Sequence, residues 1–244
     1  MNDTPAHVDT GAIPTRNANF TLKISVTFQP AFNNLSSSQS LEFIKTLENE
    51  LEVLCREADP QTFKKVQVIK LAKGSVVVES LAEYSYPNNE SQIQFVNNQL
   101  DGVLTDILND TSNLNKISKA FNNSPVQLNR VTFKPPNITN IKDLEPFINC
   151  SQFANYTAEI VNGQWQCVGP CKTNPDYCQH GQCFNDINKG PICINQYDPG
   201  ANNKPGNIYN YFVFINRDAI YICYYCDTKT YIYVHRINFI AHHQ

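Results

Sequence analysis

The sequence predicts an α+β fold of order β-α-β-β-α-β, two helices on one face of a four-stranded sheet, followed by a small disulfide-rich appendage. Three observations predict it. The stretch NFTLKISVTF alternates apolar and polar residues without a break, two longer stretches carry apolar residues at helical spacing, and Cys150 to Cys193 holds six of the chain's nine cysteines.

In the first strand Phe20, Leu22, Ile24, Val26 and Phe28 alternate with Thr21, Lys23, Ser25 and Thr27, the pattern of a sheet with one buried face. SSSQS then supplies capping residues for a helix with Leu41, Ile44, Leu47, Leu51 and Leu54 in its stripe, closed by Asp59-Pro60. Val66, Val68, Ile69 and Leu71 give a second strand whose apolar phase slips once, as at a bulge. Gly74 turns the chain into a third strand, SVVVESLAEY, whose three consecutive valines favour extended backbone. Ser91-x-x-Gln94 has the capping-box pattern and opens a second helix, carrying Ile93, Val96, Leu100, Val103, Leu104, Ile107 and Leu108. After a polar stretch, VQLNRVTF is the fourth strand, ended by Pro135-Pro136. This order, within residues 19 to 134, is the ferredoxin-like arrangement, which hosts unrelated activities.

Composition narrows the function. The 244 residues carry a formal net charge of −3 and no basic run, and the third strand lacks the stacking aromatics of an RNA-recognition sheet, so nucleic acid is not expected as a partner. Sequons occur at Asn2, Asn19, Asn34, Asn89, Asn109, Asn122, Asn137, Asn149 and Asn155, and with the cysteine cluster they imply an oxidising, extracellular setting. MNDTPAHVDTG has neither the basic nor the apolar region of a signal peptide, which leads us to expect a piece of a larger protein or an incomplete product. No membrane span is expected within the chain, because IYNYFVFINRDAIYICYYC is broken by Asn210, Asn216, Arg217 and Asp218.

The cluster from Cys150 to Cys193 contains no C-x2-C pair, which favours disulfides over zinc. His235, His242 and His243 with Cys223 and Cys226 are too loosely spaced for a metal site, so neither metal nor cofactor is expected. Cys55, beside Leu51 and Leu54, is expected to be a buried free thiol, and Trp165 and the tyrosines form no periodic binding stripe.

Gly74-Ser75 offers more chemistry than these residues do. A tight turn here sets a serine hydroxyl beside the carbonyl of the preceding glycine, although a plain hairpin connection uses the same residues.

Gly74-Ser75-Val76-Val77-Val78 matches the G-S-V-V-V motif of the SEA domain, the extracellular module of membrane-tethered mucins, and residues 19 to 135 resemble that family through NFTLKISVTF, the following AFNN and the two amphipathic helices. The resemblance implies self-cleavage: Ser75 is the nucleophile, Gly74 the acyl donor, and an N-to-O acyl shift precedes hydrolysis. No His, Asp or Glu is placed by the sequence as a base, so folding strain at the turn is the expected drive. The pieces are then expected to stay together non-covalently.

Cys171-x6-Cys178-x4-Cys183-x9-Cys193 resembles the first four cysteines of an EGF-like module, which implies the pairs Cys171–Cys183 and Cys178–Cys193 and leaves Cys150 to Cys167. The resemblance stops at Asn195, where a further cysteine is due, and no G-x-x-C follows. The expected organisation is a disordered segment 1–18, a SEA domain 19–135, a linker 136–165, a partial EGF-like module 166–196 and a tail 197–244 of uncertain structure, from which limited proteolysis should remove residues 201–244 without unfolding the core.

The function expected is that of a breakable joint in an extracellular or cell-surface mucin-type glycoprotein, its parent a single-pass membrane protein, with no enzyme activity on an external substrate. An uncleaved adhesion module with cell-surface protein partners and an EGF-like receptor ligand are the rivals. Protein from a secretory host should gain gel mobility on enzymatic removal of N-glycans, and thiol titration should find far fewer than nine free cysteines. Unchanged mobility together with nine free thiols would overturn the extracellular assignment.

Overall fold

In the computed structural model, residues 4–5, 7–8, 12–179, 181–194, 211–216 and 219–224 are described. The chain forms two units, one of Pro5–Asn149 with Ile160–Gln166, the other of Met1–Thr4, Cys150–Glu159 and the chain from Cys167.

The first unit is the expected α+β fold. Strand β1 (Arg16–Ile24) buries every second residue, with Ala18, Phe20, Leu22 and Ile24 inward. It ends four residues short of the expected Phe28. The chain leaves the sheet where Ser25 N donates to the Pro125 carbonyl at 2.9 Å and Val26 N to that of Ile24 at 2.8 Å. Phe28 instead packs edge-on against Phe32 of a short 3-10 turn, and the row of rings continues to Phe43 and then Phe121.

Helix α1 (Ser38–Ala58) is capped by Ser37, whose hydroxyl accepts from Ser40 N at 3.2 Å, and it buries Leu47, Leu51, Leu54 and Cys55. Leu41, expected in that stripe, is 54% exposed; Phe43 packs into the aromatic row instead. Strands β2 (Phe63–Lys73) and β3 (Val76–Tyr84) form a hairpin. The register shifts between Val68 and Lys70, so Ile69 is the extra residue and points to solvent, as the slipped apolar phase anticipated. The amide of Val68 at this bulge donates to Glu48 Oε1 of α1 at 2.7 Å.

The expected second helix is divided. Helices α2 (Glu90–Asn98) and α3 (Leu100–Asn109) meet at Gln99, and Asn89 caps α2 by accepting from Gln92 N at 3.0 Å, so the Ser91-x-x-Gln94 box does not form the cap. The polar stretch beyond is a further helix, α4 (Thr111–Ala120), capped by Asp110 and held by buried Ile117. Strand β4 (Val126–Phe133) completes an antiparallel sheet in the order β2-β3-β1-β4. Helix α1 packs on β2, α3 and α4, while α3 and α4 also pack on β4.

Residues of the segment 1–18, expected to be disordered, and of 136–165, expected to be a linker, take part in the fold. Within 1–18, Ile13 is buried and β1 begins at Arg16. Within 136–165, Ile138 and Leu144 are buried, and Trp165 Nε1 donates to the Ile141 carbonyl at 2.7 Å. Their contacts come from distant segments, such as Asn97 Nδ2 donating to Ile138 O and Asn88 Nδ2 to Trp165 O, both 2.8 Å. Strands β5 (Thr157–Val161) and β6 (Gln164–Val168) share one sheet.

In the second unit β7 (Gln182–Asp186) pairs with β8 (Gly190–Ile194), and disulfides join Cys150 to Cys167, Cys171 to Cys183 and Cys178 to Cys193, with Cα atoms 5.6, 5.4 and 5.4 Å apart. Asn185 Oδ1 accepts from Cys171 N at 3.0 Å. Strands β9 (Tyr211–Asn216) and β10 (Ala219–Tyr224) form a separate hairpin.

Cys55 is buried under β3, and Tyr84 donates its hydroxyl to the Cys55 carbonyl at 2.8 Å. Burial pushes the Cys55 thiol from 9.0 up to about 12 and the Tyr86 phenol up to about 12, and it raises Tyr84 as well. The folded state thus holds these protons more tightly than the unfolded chain does. Stability should be fully present below about pH 9 and fall as pH rises from 9 toward 12. Urea titrations across that window check this, and Cys55→Ala should flatten the fall.

Candidate functional site

Lys73 of β2 and Val76 of β3 are the last paired residues of their hairpin, so Gly74 and Ser75 alone make the loop. Both have positive φ, +126° at Gly74 and +59° at Ser75. Two-residue hairpin loops with positive φ at both positions match the strand twist, and Asn-Gly is their favoured pair. Here glycine comes first and serine second. An L-residue with a Cβ in the left-handed region costs roughly 1–2 kcal/mol, so Ser75 holds a backbone conformation its side chain disfavours.

The turn is exposed, yet Val76 has no exposed surface. Val76 pairs with Lys73 on one side and Ile24 on the other, and Ile24 pairs in turn with Val126. All four strands therefore end in one row, Lys73–Val76–Ile24–Val126. The chain passes from solvent to a fixed core position in one residue, which denies Ser75 the room to relax by moving its neighbour.

Residues 12–179 contain no histidine. Glu79, four residues beyond Ser75 in β3, is engaged by Lys70 Nζ at 3.2 Å. The arrangement offers a serine hydroxyl, an adjacent glycine carbonyl and a disfavoured backbone. The positive φ of Ser75 was not legible in the sequence, and neither was the role of Ile24 and Val126 in closing the row. Their only signal was that two alternating strands had to end somewhere near the turn.

Residues 16–118 match the SEA domain. The match contains the whole turn and both strands that flank it, and stops before β4. The chain is 27% identical over 182 residues to Mucin-3A of Homo sapiens and 25% identical over 179 residues to Mucin-3B of Homo sapiens, each alignment covering 68% of it. It spans only 5% and 1% of the length of those two relatives.

The other sequence-selected residues scatter around the matched region and beyond. Asn34, Asn109, Asn122, Asn137, Asn149 and Asn155 are exposed, Asn19 is half-buried on β1, and Asn89 is half-buried as the α2 cap. Asn2, Cys226, His235, His242 and His243 lie outside the described residues, and of Cys223 only the backbone is described.

If Ser75 carries the backbone cost of the turn, Ser75→Gly should stabilise the folded domain by about 1 kcal/mol relative to Ser75→Ala, because glycine accepts positive φ without penalty. Comparing the urea midpoints of these two variants checks it. Equal midpoints would mean that the turn is unstrained.

Proposed function

We propose that the SEA domain cuts its own chain between Gly74 and Ser75 and then holds the two pieces as a breakable joint in the extracellular region of a mucin-type surface glycoprotein. The observation that carries this reading is a serine at positive φ, one residue from fully buried Val76. Ser75 Oγ attacks the Gly74 carbonyl carbon, the C–N bond breaks, and the hydroxyl proton passes to the departing Ser75 amine. The resulting ester between Gly74 and Ser75 Oγ is hydrolysed by water, which leaves a Gly74 carboxylate and a free Ser75 hydroxyl. Breaking the peptide bond frees the turn from its disfavoured conformation, so strain released along the path lowers the barrier.

The topology supports cohesion after cutting. The first piece holds β1, α1 and β2, the second β3, α2, α3, α4 and β4. In the order β2-β3-β1-β4 the two pieces alternate, so every ladder of the sheet joins one piece to the other. Side chains add to this: Tyr84 to Cys55, Gln92 Nε2 to Asp59 Oδ2 at 3.0 Å, and Phe43 against Phe121 all cross the cut.

Secretion is supported by the exposed sequons and the three disulfides, and the two human mucins offer a parallel for a surface setting. The disulfide-rich unit is read as a partial EGF-like module, and the parent as a membrane-anchored chain. A second reading, an uncut adhesion module, is favoured by the loop itself, since positive φ at both positions also serves ordinary hairpins.

Denaturing and native electrophoresis separate these readings. Wild-type protein should give two bands in denaturant and one species in native buffer. Ser75→Ala should abolish cutting with the fold intact, Ser75→Cys should retain some of it, and Ile24→Asp should suppress it by unfolding the sheet. A single uncut band from well-folded wild type after prolonged incubation would leave the adhesion module.

A further inference from the structure

We propose that Arg16 is a built-in weak point that lets load open the sheet from the end where the chain enters and leaves it; this rests on the self-cleavage reading above. Strands β1 and β4 are antiparallel neighbours, with Ala18 opposite Phe133, and Lys134 N extends the ladder by donating to the Asn17 carbonyl at 3.2 Å. The start of β1 and the end of β4 thus lie at one end of the sheet. Farther out, His7 and Val8 pair antiparallel with Asn149 and Ile148, so the approaching and departing chain also run side by side. Once the contacts that hold Ile138, Ile141 and Trp165 have yielded, pulling the two termini apart loads adjacent strands from the same end. Their hydrogen bonds break in sequence, pair by pair, instead of sharing the load.

Arg16 sits at that loaded end. It is only 7% exposed, and its Nε and Nη1 have no hydrogen-bond partner. None of the ion pairs among the described residues includes it. Its guanidinium carbon lies 4.9 Å from the centre of the Phe133 ring, a contact that recovers some of the cost of desolvating the cation. A buried cation with unmet donors is destabilising in place, and water satisfies it as soon as β1 and β4 separate at their first pair. The first step of opening is consequently less costly than it would be with an apolar side chain at the same position.

At the opposite end, Ser25 N donates to the Pro125 carbonyl, and the row Lys73–Val76–Ile24–Val126 is closed by the buried side chains of Val76 and Ile24. The β1–β4 ladder is then unequal along its length: it is tight beside the proposed cut and ready to open beside the termini.

Single-molecule pulling on the secreted full chain tests this. With handles at the two termini, Arg16→Met keeps an apolar stem against Phe133 and removes the buried charge, so the lifetime of the joined pieces under constant load should lengthen on the order of ten-fold. With attachment points at residues 25 and 125, which load the other end of the same two strands, the substitution should change the lifetime by less than about two-fold. Urea midpoints of each variant show whether it folds, and Arg16→Leu repeats the comparison. An unchanged or shortened lifetime at the termini, or equal lengthening in both geometries, would overturn the proposal. Loss of the tether marks separation of cut pieces, whereas a gain in length without loss marks an uncut chain. In that case the cleavage reading fails, and the Arg16 comparison is read on the unfolding force.

Discussion

The fixed position of Val76 governs the rest of the domain. It is fully buried, paired on both sides, and one residue from a solvent-exposed turn. With Lys73 opposite Val76 there is room for two loop residues and no more, and those two are Gly74 and Ser75. A one-residue slip would carry the valines and Leu71 to the wrong face of the sheet. The hydrophobic pattern of β3, alternating buried and half-buried from Val76 to Tyr84, is what prevents that slip, and the backbone angles at Ser75 are its consequence.

Both edge strands are interrupted while the two central strands run unbroken. Ile69 is the extra residue in β2, and in β4 the register shifts as Thr21 pairs with Arg130 but Leu22 with Leu128. These two interruptions lie at nearly the same level of the sheet, and β2 shifts register once more between Phe63 and Lys65. Bulges at edges bend and twist the strand and make it a poor template for another chain. Lys65 and Lys70 on β2 pair with Glu83 and Glu79 on β3, but these are largely exposed contacts worth roughly a few tenths of a kcal/mol each. Stability rests on the apolar face, and the charges keep that edge soluble.

The end of β3 away from the turn is held by polar groups. Buried Asp59 accepts hydrogen bonds from Thr62, Gln61 N and Gln92, while Tyr84 reaches back to the Cys55 carbonyl. These contacts tie the C-terminal end of α1 to the start of β2, the end of β3 and the start of α2. Not every buried polar group is met: the Ser80 hydroxyl in the middle of β3 has no partner. Beyond the sheet, Trp165 and Leu144 return to the domain through Ile141, so the α+β unit continues past its fourth strand.

The sequence by itself determined β1, β2, β3 and β4, the stripe of α1 from Leu47 to Leu54, the bulge at Ile69 and the Gly74-Ser75 turn. Each is written in a local period: alternation for strands, a three-and-four spacing for helices, a single slip for a bulge. Only the tertiary structure decided what local period does not encode. Leu41 fits the α1 stripe yet lies in solvent, because the stripe fixes a face but not how far along the helix the core extends. α4 has only Leu114 and Ile117 at helical spacing in an otherwise polar stretch, and it is a helix because Asp110 caps it and Ile117 finds the core. Ile138, Leu144 and Trp165 read as linker because their partners lie tens of residues away. The angles at Ser75 were undetermined for the same reason: they are fixed by the pairing of Val76 with Ile24, residues that only the folded sheet brings together.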